Sequence, residues 1–359
     1  MPITITGTLP EANLFGKERV TIKQVAREAG VSLQTVSRVL NRRPDVAPET
    51  RQHVQAVIER LGYHPSALAR SLIQQRSYTL GVVTAGLKYI GPSRTLNGIT
   101  EKAEGLGYAL ILKELPGFEA QDLEPILQSL LARQVDGILW AVPEIGDNRN
   151  WLWEKLLVLP VPILFLTSQD RAGVSTVSID NYLGGQIAVQ HLLDQGYCQI
   201  GHLAGPLEWW EARQRKAGWE DVLRRAGRPA QTEHWVEGNW SSASGEQAIY
   251  RLLDQYPGMD AVFVANDQMA LSVLQAASRL NLGVPERLGV VGFDGIAESA
   301  YFWPALTTVE QDLALLGHTA VHELVQVIER RHGSEPPVEP GTICLKPRLV
   351  VRASSVRQR

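Results

Sequence analysis

TIKQVAREAGVSLQTVSRVLNRRPDVAPETRQHVQAVIERLGYHPSALARSL, residues 21–72, is the most informative stretch of this chain. Ile22, Val25, Ala26 and Ala29 recur at helical spacing, and Thr21 is placed to cap the helix they define. Gly30 ends that helix in a tight turn. Ser32 caps a second helix whose apolar residues are Val36, Val39 and Leu40. Two short helices joined at a glycine turn make a helix-turn-helix, whose second helix can enter the DNA major groove. An ordinary helical hairpin with a solvated polar face satisfies the same spacing. The outward positions of the second helix are Leu33, Gln34, Thr35, Ser37 and Arg38. Gln and Arg are the side chains that address adenine and guanine edges bidentately.

Charge favours DNA over the plain hairpin. Residues 20–78 hold nine Lys/Arg and four Asp/Glu, a balance of +5, and residues 1–19 balance to zero. The whole chain is −3, so residues 79–359 carry −8. A basic head on an acidic body is the pattern of a DNA-binding module joined to something else. Lys23, Arg27, Arg42, Arg43 and Arg51 suit phosphate contacts, which position a protein on the duplex without specifying sequence.

Beyond residue 78 the pattern changes. Apolar runs such as TLGVVTA (79–85), VDGILWAV (135–142), VPILFLT (161–167), QIGHLAG (199–205), MDAVFVAN (259–266) and RLGVVGFD (287–294) end in small residues or turns. Helical stretches lie between them, which predicts βαβ units and parallel sheets. The strands are too many for one open sheet of ordinary size, so two doubly wound lobes are expected, with crossovers near 177 and 308. The helix at 312–331 then returns to the first lobe. Ligands of such sheets bind at the carboxyl ends of the strands, and two facing lobes form a cleft that can close on a small molecule. Tyr89, Trp209, Arg213, Trp240, Asn266 and Asp294 fall at or just beyond strand ends. Aromatic faces with carboxylates, amides and an arginine suit a sugar. Asp267 is better explained as a cap of the helix that follows.

The segment VSLQTVSRVLN (31–41) closely resembles the recognition helix of the LacI/GalR family of bacterial transcription regulators. HLAGPLEWWEARQRKAGW (202–219), VANDQMAL (264–271) and VGFDGIAESAYFWPALTTVEQD (291–312) resemble the same family's effector-binding core, so the likeness covers about residues 20–355. It implies base-reading roles for Leu33, Gln34 and Arg38, and phosphate contacts for Thr21, Ser32, Thr35, Ser37 and Asn41. It also implies a hinge helix whose leucine, here Leu72, wedges into the minor groove. Arg213, Asp294, Asn266, Trp240 and Gln311 match positions that contact effectors in sugar-responsive members, and Tyr89 and Trp209 match pocket-lining positions. Two departures concern the cleft: an aspartate and an asparagine of a galactoside-responsive member are here Thr167 and Ala141. A third concerns the headpiece, where Ala47 replaces the usual serine cap before Pro48.

The organisation expected is a loose tail (1–19), a headpiece (20–65), a hinge helix and linker (66–77), a first lobe (78–176 plus 309–340), a second lobe (177–308) and a C-terminal segment (341–359). The fold class is α/β, two doubly wound parallel-sheet lobes like those of periplasmic binding proteins, behind an all-α helix-turn-helix headpiece. Cys198 and Cys344 are the only cysteines and are far apart, which excludes a disulfide scaffold and a cysteine zinc site. The N-terminus lacks a signal-peptide pattern and no apolar run is long enough for a membrane span, so the expected location is the cytoplasm. Nucleotide loops, the GxSxG elbow and HExxH are missing, and no carboxylate pair is nominated across the cleft. His318 and His322 are spaced i,i+4 but lack a third ligand. These observations predict a regulator rather than an enzyme, with no metal or cofactor. Its partners would be a pseudo-palindromic DNA operator, a second copy in a homodimer, and a sugar or glycoside effector that releases DNA. A nucleobase corepressor, or a sugar-binding module without operator function, are the alternatives.

Overall fold

The structure, a computed structural model, describes residues 20–40, 43–63, 76–118, 123–145, 159–228, 230–333, 336 and 339–357. Asn41, Leu72, the tail 1–19 and residues 64–75 lie outside the described residues. The chain divides into two compact units, Met1–Ser77 and Tyr78–Arg359.

The first unit contains α1 (Ile22–Glu28), α2 (Leu33–Leu40) and α3 (Pro48–Leu61). Thr21 starts α1 through a capping box: its hydroxyl accepts from the Gln24 N–H, and the Gln24 side chain accepts from the Thr21 N–H at 2.7 Å. Gly30, at φ 61°, turns the chain into α2, where Ser32 Oγ accepts from the Thr35 N–H at 3.1 Å. Helix α3 begins on Pro48 without a side-chain cap, because Ala47 has no acceptor to offer. Val25, Val36 and Val54 are fully buried where the three helices meet.

Among its described residues the second unit holds two six-stranded sheets. The first has the order β11-β5-β4-β3-β1-β2, from Thr342–Leu345, Ser175–Ile179, Ile163–Leu166, Gly137–Ala141, Thr79–Ala85 and Ala109–Leu115. The second has the order β12-β10-β9-β8-β6-β7, from Arg348–Val350, Thr307–Glu310, Gly289–Asp294, Ala261–Val264, Ile200–Ala204 and Trp235–Glu237. Every pairing is parallel except β12 against β10. Helices α4 (Ile90–Gly105), α5 (Glu124–Leu131) and α10 (Leu313–His332) cover the first sheet. Helices α6 (Asn181–Asp194), α7 (Trp210–Arg225), α8 (Ser242–Gln255) and α9 (Asp267–Arg279) cover the second. Helices on both faces explain why the central strands are apolar along their length rather than alternating.

Helix α10 buries Leu313, Leu316, Gly317, Ala320, Val321, Leu324 and Ile328, the stripe expected of a helix lying on one sheet. It meets α4 so closely that a Cβ at Gly98 would stand 2.4 Å from the Ala314 carbonyl oxygen. That approach fixes α10 to the first lobe although it follows a strand of the second.

The lobe boundaries differ from the expected ones. Strand β5 stays in the first sheet to Ile179, and β10 belongs to the second sheet to Glu310. The expected boundaries at 177 and 308 cut through both strands. Residues 341–359 are not a separate segment either, because β11 completes the first sheet and β12 the second. Ser354 then ties the chain end into the second lobe, accepting from the Thr307 N–H at 2.8 Å and donating to the Val290 carbonyl at 2.6 Å. The chain therefore crosses between lobes three times. Ladder partners far apart in sequence decide these memberships, and periodicity does not report them.

Candidate functional site

In each sheet one strand pairs on both sides with strands wound in opposite directions: β1 lies between β2 and β3, and β6 between β7 and β8. Such switch points leave a crevice at the carboxyl ends of the strands. The two crevices face each other across a cavity of about 590 Å³, well inside the size range of small-molecule sites.

The second lobe supplies the polar wall. Arg215 of α7 is 6% exposed; its Nε donates to Asn181 Oδ1 at 2.8 Å and its Nη1 to the Ala265 carbonyl. The same guanidinium stands 3.6 Å from Asp294 Oδ1 and beneath the Trp240 and Phe293 rings. Gln311 donates to Asp294 at 2.7 Å. Burial pushes the Asp294 carboxyl up, against the opposing pull of Arg215, Gln311 and Arg94. Burial also draws the Arg215 guanidinium down, with Asp294, Glu211 and Asp267 holding it charged. Thr167, Trp240 and Asp294 line the cavity with positive φ of 51°, 71° and 111°. Such backbone persists in non-glycine residues only where the surroundings enforce it, and it clusters at binding sites.

Trp240 is held between the cavity and the LAGP turn. A Cβ at Gly205 would lie 2.0 Å from its ring, so only glycine admits the indole there. Its Nε1 is buried without a hydrogen-bond partner, leaving one donor at the cavity wall. Asn266 Oδ1 accepts from the Met269 N–H at 3.0 Å and its Nδ2 donates to the Trp240 carbonyl at 2.9 Å. Asn266 is thus the cap of α9, a role assigned from sequence to Asp267. Asp267 is instead fully buried behind Asp294, accepting from Thr308 Oγ1 at 2.7 Å and the Ile296 N–H at 2.9 Å. Burial first, and the Asp294 charge second, push its carboxyl up to about 7.

The first lobe supplies a wall of Pro92, Ala141, Leu166, Thr167, Ile179 and Leu313, and Lys88 is its one charge among the described lining residues. At the mouth the lobes touch. Trp209 packs edge-on against Phe118 at 4.8 Å, Tyr89 at 6.0 Å and Trp240 at 5.7 Å. Beside this cluster the Trp210 N–H donates to the Glu144 carbonyl at 3.1 Å, and Ile145 bridges Trp209.

Of the cleft residues expected from sequence, Tyr89, Trp209, Trp240, Asn266, Asp294 and Gln311 line the cavity. Arg213 does not: its guanidinium donates to the Leu207 and Glu208 carbonyls at 2.9 Å, tying down the loop before α7. The arginine at the cavity is Arg215. A helix turns about 100° per residue, so two positions reverse the face. The buried stripe of α7 runs through Glu211, Ala212, Arg215, Gly218, Trp219 and Val222 and leaves Arg213 outside it. That stripe was visible in the sequence. Trp140 is buried in the first sheet, and Tyr301 and Trp303 are 88% and 94% exposed, away from the cavity. His318 pairs with Glu101, His322 contacts Gln326, and no cluster of three metal-binding side chains occurs among the described residues.

On the headpiece, Leu33, Gln34 and Arg38 are exposed on one face of α2, with Thr35 and Ser37 half-buried beside them. Thr21 and Ser32 stand at helix N-termini, where their hydroxyls already serve as caps.

Two family models match the chain. Residues 21–66 match the bacterial regulatory proteins of the lacI family, and residues 189–355 match the periplasmic binding protein-like domain. The lactose operon repressor of Escherichia coli strain K12 is 35% identical over 308 residues, covering 86% of this chain and 84% of that protein. A solved lac repressor dimer bound to operator and the anti-inducer ONPF superposes with a TM-score of 0.82 at 34% identity, covering 95% of this chain and all of that one. A complex of the transcriptional regulator CelR with cellobiose gives a TM-score of 0.69 at 30% identity, covering 94% of this chain and all of that one. Headpiece, two-lobed core and relatives agree, and the chain belongs to the lacI family of bacterial regulatory proteins.

Proposed function

We propose that this protein represses sugar-utilisation genes in the cytoplasm, and that a sugar or glycoside bound between the lobes releases it from its operator. The observation that carries this reading is the asymmetry of the cavity. One wall is nearly uncharged, and the other presents Asp294 with Gln311 hydrogen-bonded to it and the Arg215 guanidinium ion-paired to it at 3.6 Å, the guanidinium lying under the Trp240 ring. A pyranose needs both surfaces, an aromatic or aliphatic face for its C–H side and planar polar groups for its hydroxyls. Tyr89, Trp209 and Asn266 complete the assigned site. Thr167 and Ala141 at the first-lobe wall argue for a ligand held mainly by the second lobe, and the aromatic residues Tyr89 and Trp209 offer stacking faces for a second ring.

On DNA, Leu33, Gln34 and Arg38 read base edges, while Thr21, Ser32, Thr35, Ser37 and Asn41 contact phosphates and Leu72 enters the minor groove. A homodimer presents two headpieces to a pseudo-palindrome. We read it as a binding protein rather than an enzyme: the cavity carboxylates Glu211 and Asp294 both belong to the second lobe, and among the described lining residues the first lobe sets no carboxylate opposite them. No described helix is long and apolar enough to cross a membrane.

A thermal-shift panel of monosaccharides, disaccharides, β-glucosides and purines tests the effector assignment, since a ligand selective for the folded state raises the melting temperature by mass action. A sugar hit that also lowers DNA affinity supports the reading. A purine hit that raises DNA affinity would replace it with a corepressor, which the aromatic mouth would also stack.

A further inference from the structure

Arg38 is not alone on the outward face of α2. Its Nη1 lies 3.5 Å from Asp45 Oδ2, and both side chains are about half exposed, at 47% and 55%. The acid comes from the turn between α2 and α3, seven residues further along the chain. The turn is anchored. The Arg43 N–H donates to the Arg38 carbonyl at 3.0 Å, the Arg51 side chain donates to the Arg43 carbonyl, and Val46 is buried in the headpiece core. Asp45 is therefore held at a set place beside the guanidinium.

We propose that Asp45 is a positioning residue for base recognition, holding the Arg38 fork on a guanine edge and away from neighbouring phosphates. The inference rests on the assignment of α2 as the helix that meets base edges. Arginine carries five donors on a planar fork, and guanine takes two of them at N7 and O6. A single carboxylate contact from the side occupies one donor and leaves enough for the bidentate pair. It also removes side-chain freedom that Arg38 would otherwise lose on binding. The carboxylate has a second effect, because phosphates on either side of the groove are repelled by it. Asp45 thus weakens sequence-independent attraction while leaving the guanine contact intact, and discrimination is the ratio of the two.

The test is selection of binding sites from a random duplex library by the full-length protein, followed by competition assays on the selected site and on its single-base variants. The native chain and Arg38→Ala, Asp45→Asn and Asp45→Glu are compared. The native chain should select a guanine that Arg38→Ala no longer distinguishes. At that position alone, Asp45→Asn should lose roughly 3–10-fold of its preference, the range of an exposed ion pair strengthened where DNA excludes water. It should also bind unrelated duplex more tightly, and Asp45→Glu should restore part of the preference. A merely structural role would weaken all sequences equally and leave the ratio unchanged. An unchanged ratio in Asp45→Asn overturns the proposal and leaves base reading by α2 intact. Absence of any selected motif, or of a position dependent on Arg38, overturns both.

Discussion

Arg213 and Arg215 stand two residues apart on α7 and meet different fates. One secures a loop, and the other lies buried against Asp294 at the cavity. Replacing Arg215 with Met leaves a buried carboxylate without its partner, so unfolding in urea should reveal a loss of about 3–5 kcal/mol and calorimetry a loss of effector binding. Arg213→Ala should cost less than about 1 kcal/mol and leave effector affinity unchanged. Asp267 carries a pH signature. Its carboxyl titrates at about 7 in the fold and near 3.9 in an unfolded chain, so the fold holds the proton more firmly. Its contribution is complete below the unfolded value and is lost as pH rises through about 7. His202 acts in the opposite sense. It is fully buried between Trp219 and Phe263, and burial lowers its pKa to about 3. The stability it lends is present above about 6.5 and is lost as pH falls. The Asp267→Asn variant isolates the first effect: between pH 5 and pH 8 its stability should improve on the native chain by on the order of 2 kcal/mol. Parallel curves in urea unfolding at the two values would contradict the assignment.

At the scale of elements, α3 is the helix with a repairable start. Ala47→Ser supplies the missing acceptor and should stabilise the first turn by about 1 kcal/mol, seen as slower hydrogen exchange at the Thr50 amide. The contact of α4 with α10 is the opposite case, because no space remains. Gly98→Ala drives a methyl into the Ala314 carbonyl and should destabilise the core by about 1–3 kcal/mol, measured by thermal unfolding. The sequence made the helices of the headpiece and the long apolar strands legible, since capping residues and periodicity are local signals. It did not disclose β7 or β11, nor that the whole of β5 stays in the first lobe and the whole of β10 in the second. Those elements are short, and remote partners define them. The cleft was legible as a set of strand ends, because parallel sheets put their loops there. The inward face of α7 is marked by the stripe of Ala212, Gly218, Trp219 and Val222, which includes the position of Arg215 and not that of Arg213.

At the scale of the whole molecule, the +5 head and the −8 body predict two binding events with different responses to salt. From 50 to 200 mM salt, DNA affinity should fall by roughly 10²–10³-fold if about five phosphates are neutralised, while affinity for an uncharged sugar stays constant. Fluorescence anisotropy with labelled duplex and calorimetry with the effector check this. Equal sensitivity would contradict the division between head and core. The three crossings between lobes bear on how the protein is made. A ribosome releases the first lobe's β1 to β5 and then all of β6 to β10 before either sheet can be finished, because β11 and β12 lie at 342–350. Both lobes therefore wait on the same few residues, and neither can mature while the other is still being synthesised. A stop codon after Pro340 would not yield a repressor with one working half. It would yield two sheets, each with an uncovered edge strand, a species suited to proteolysis or aggregation.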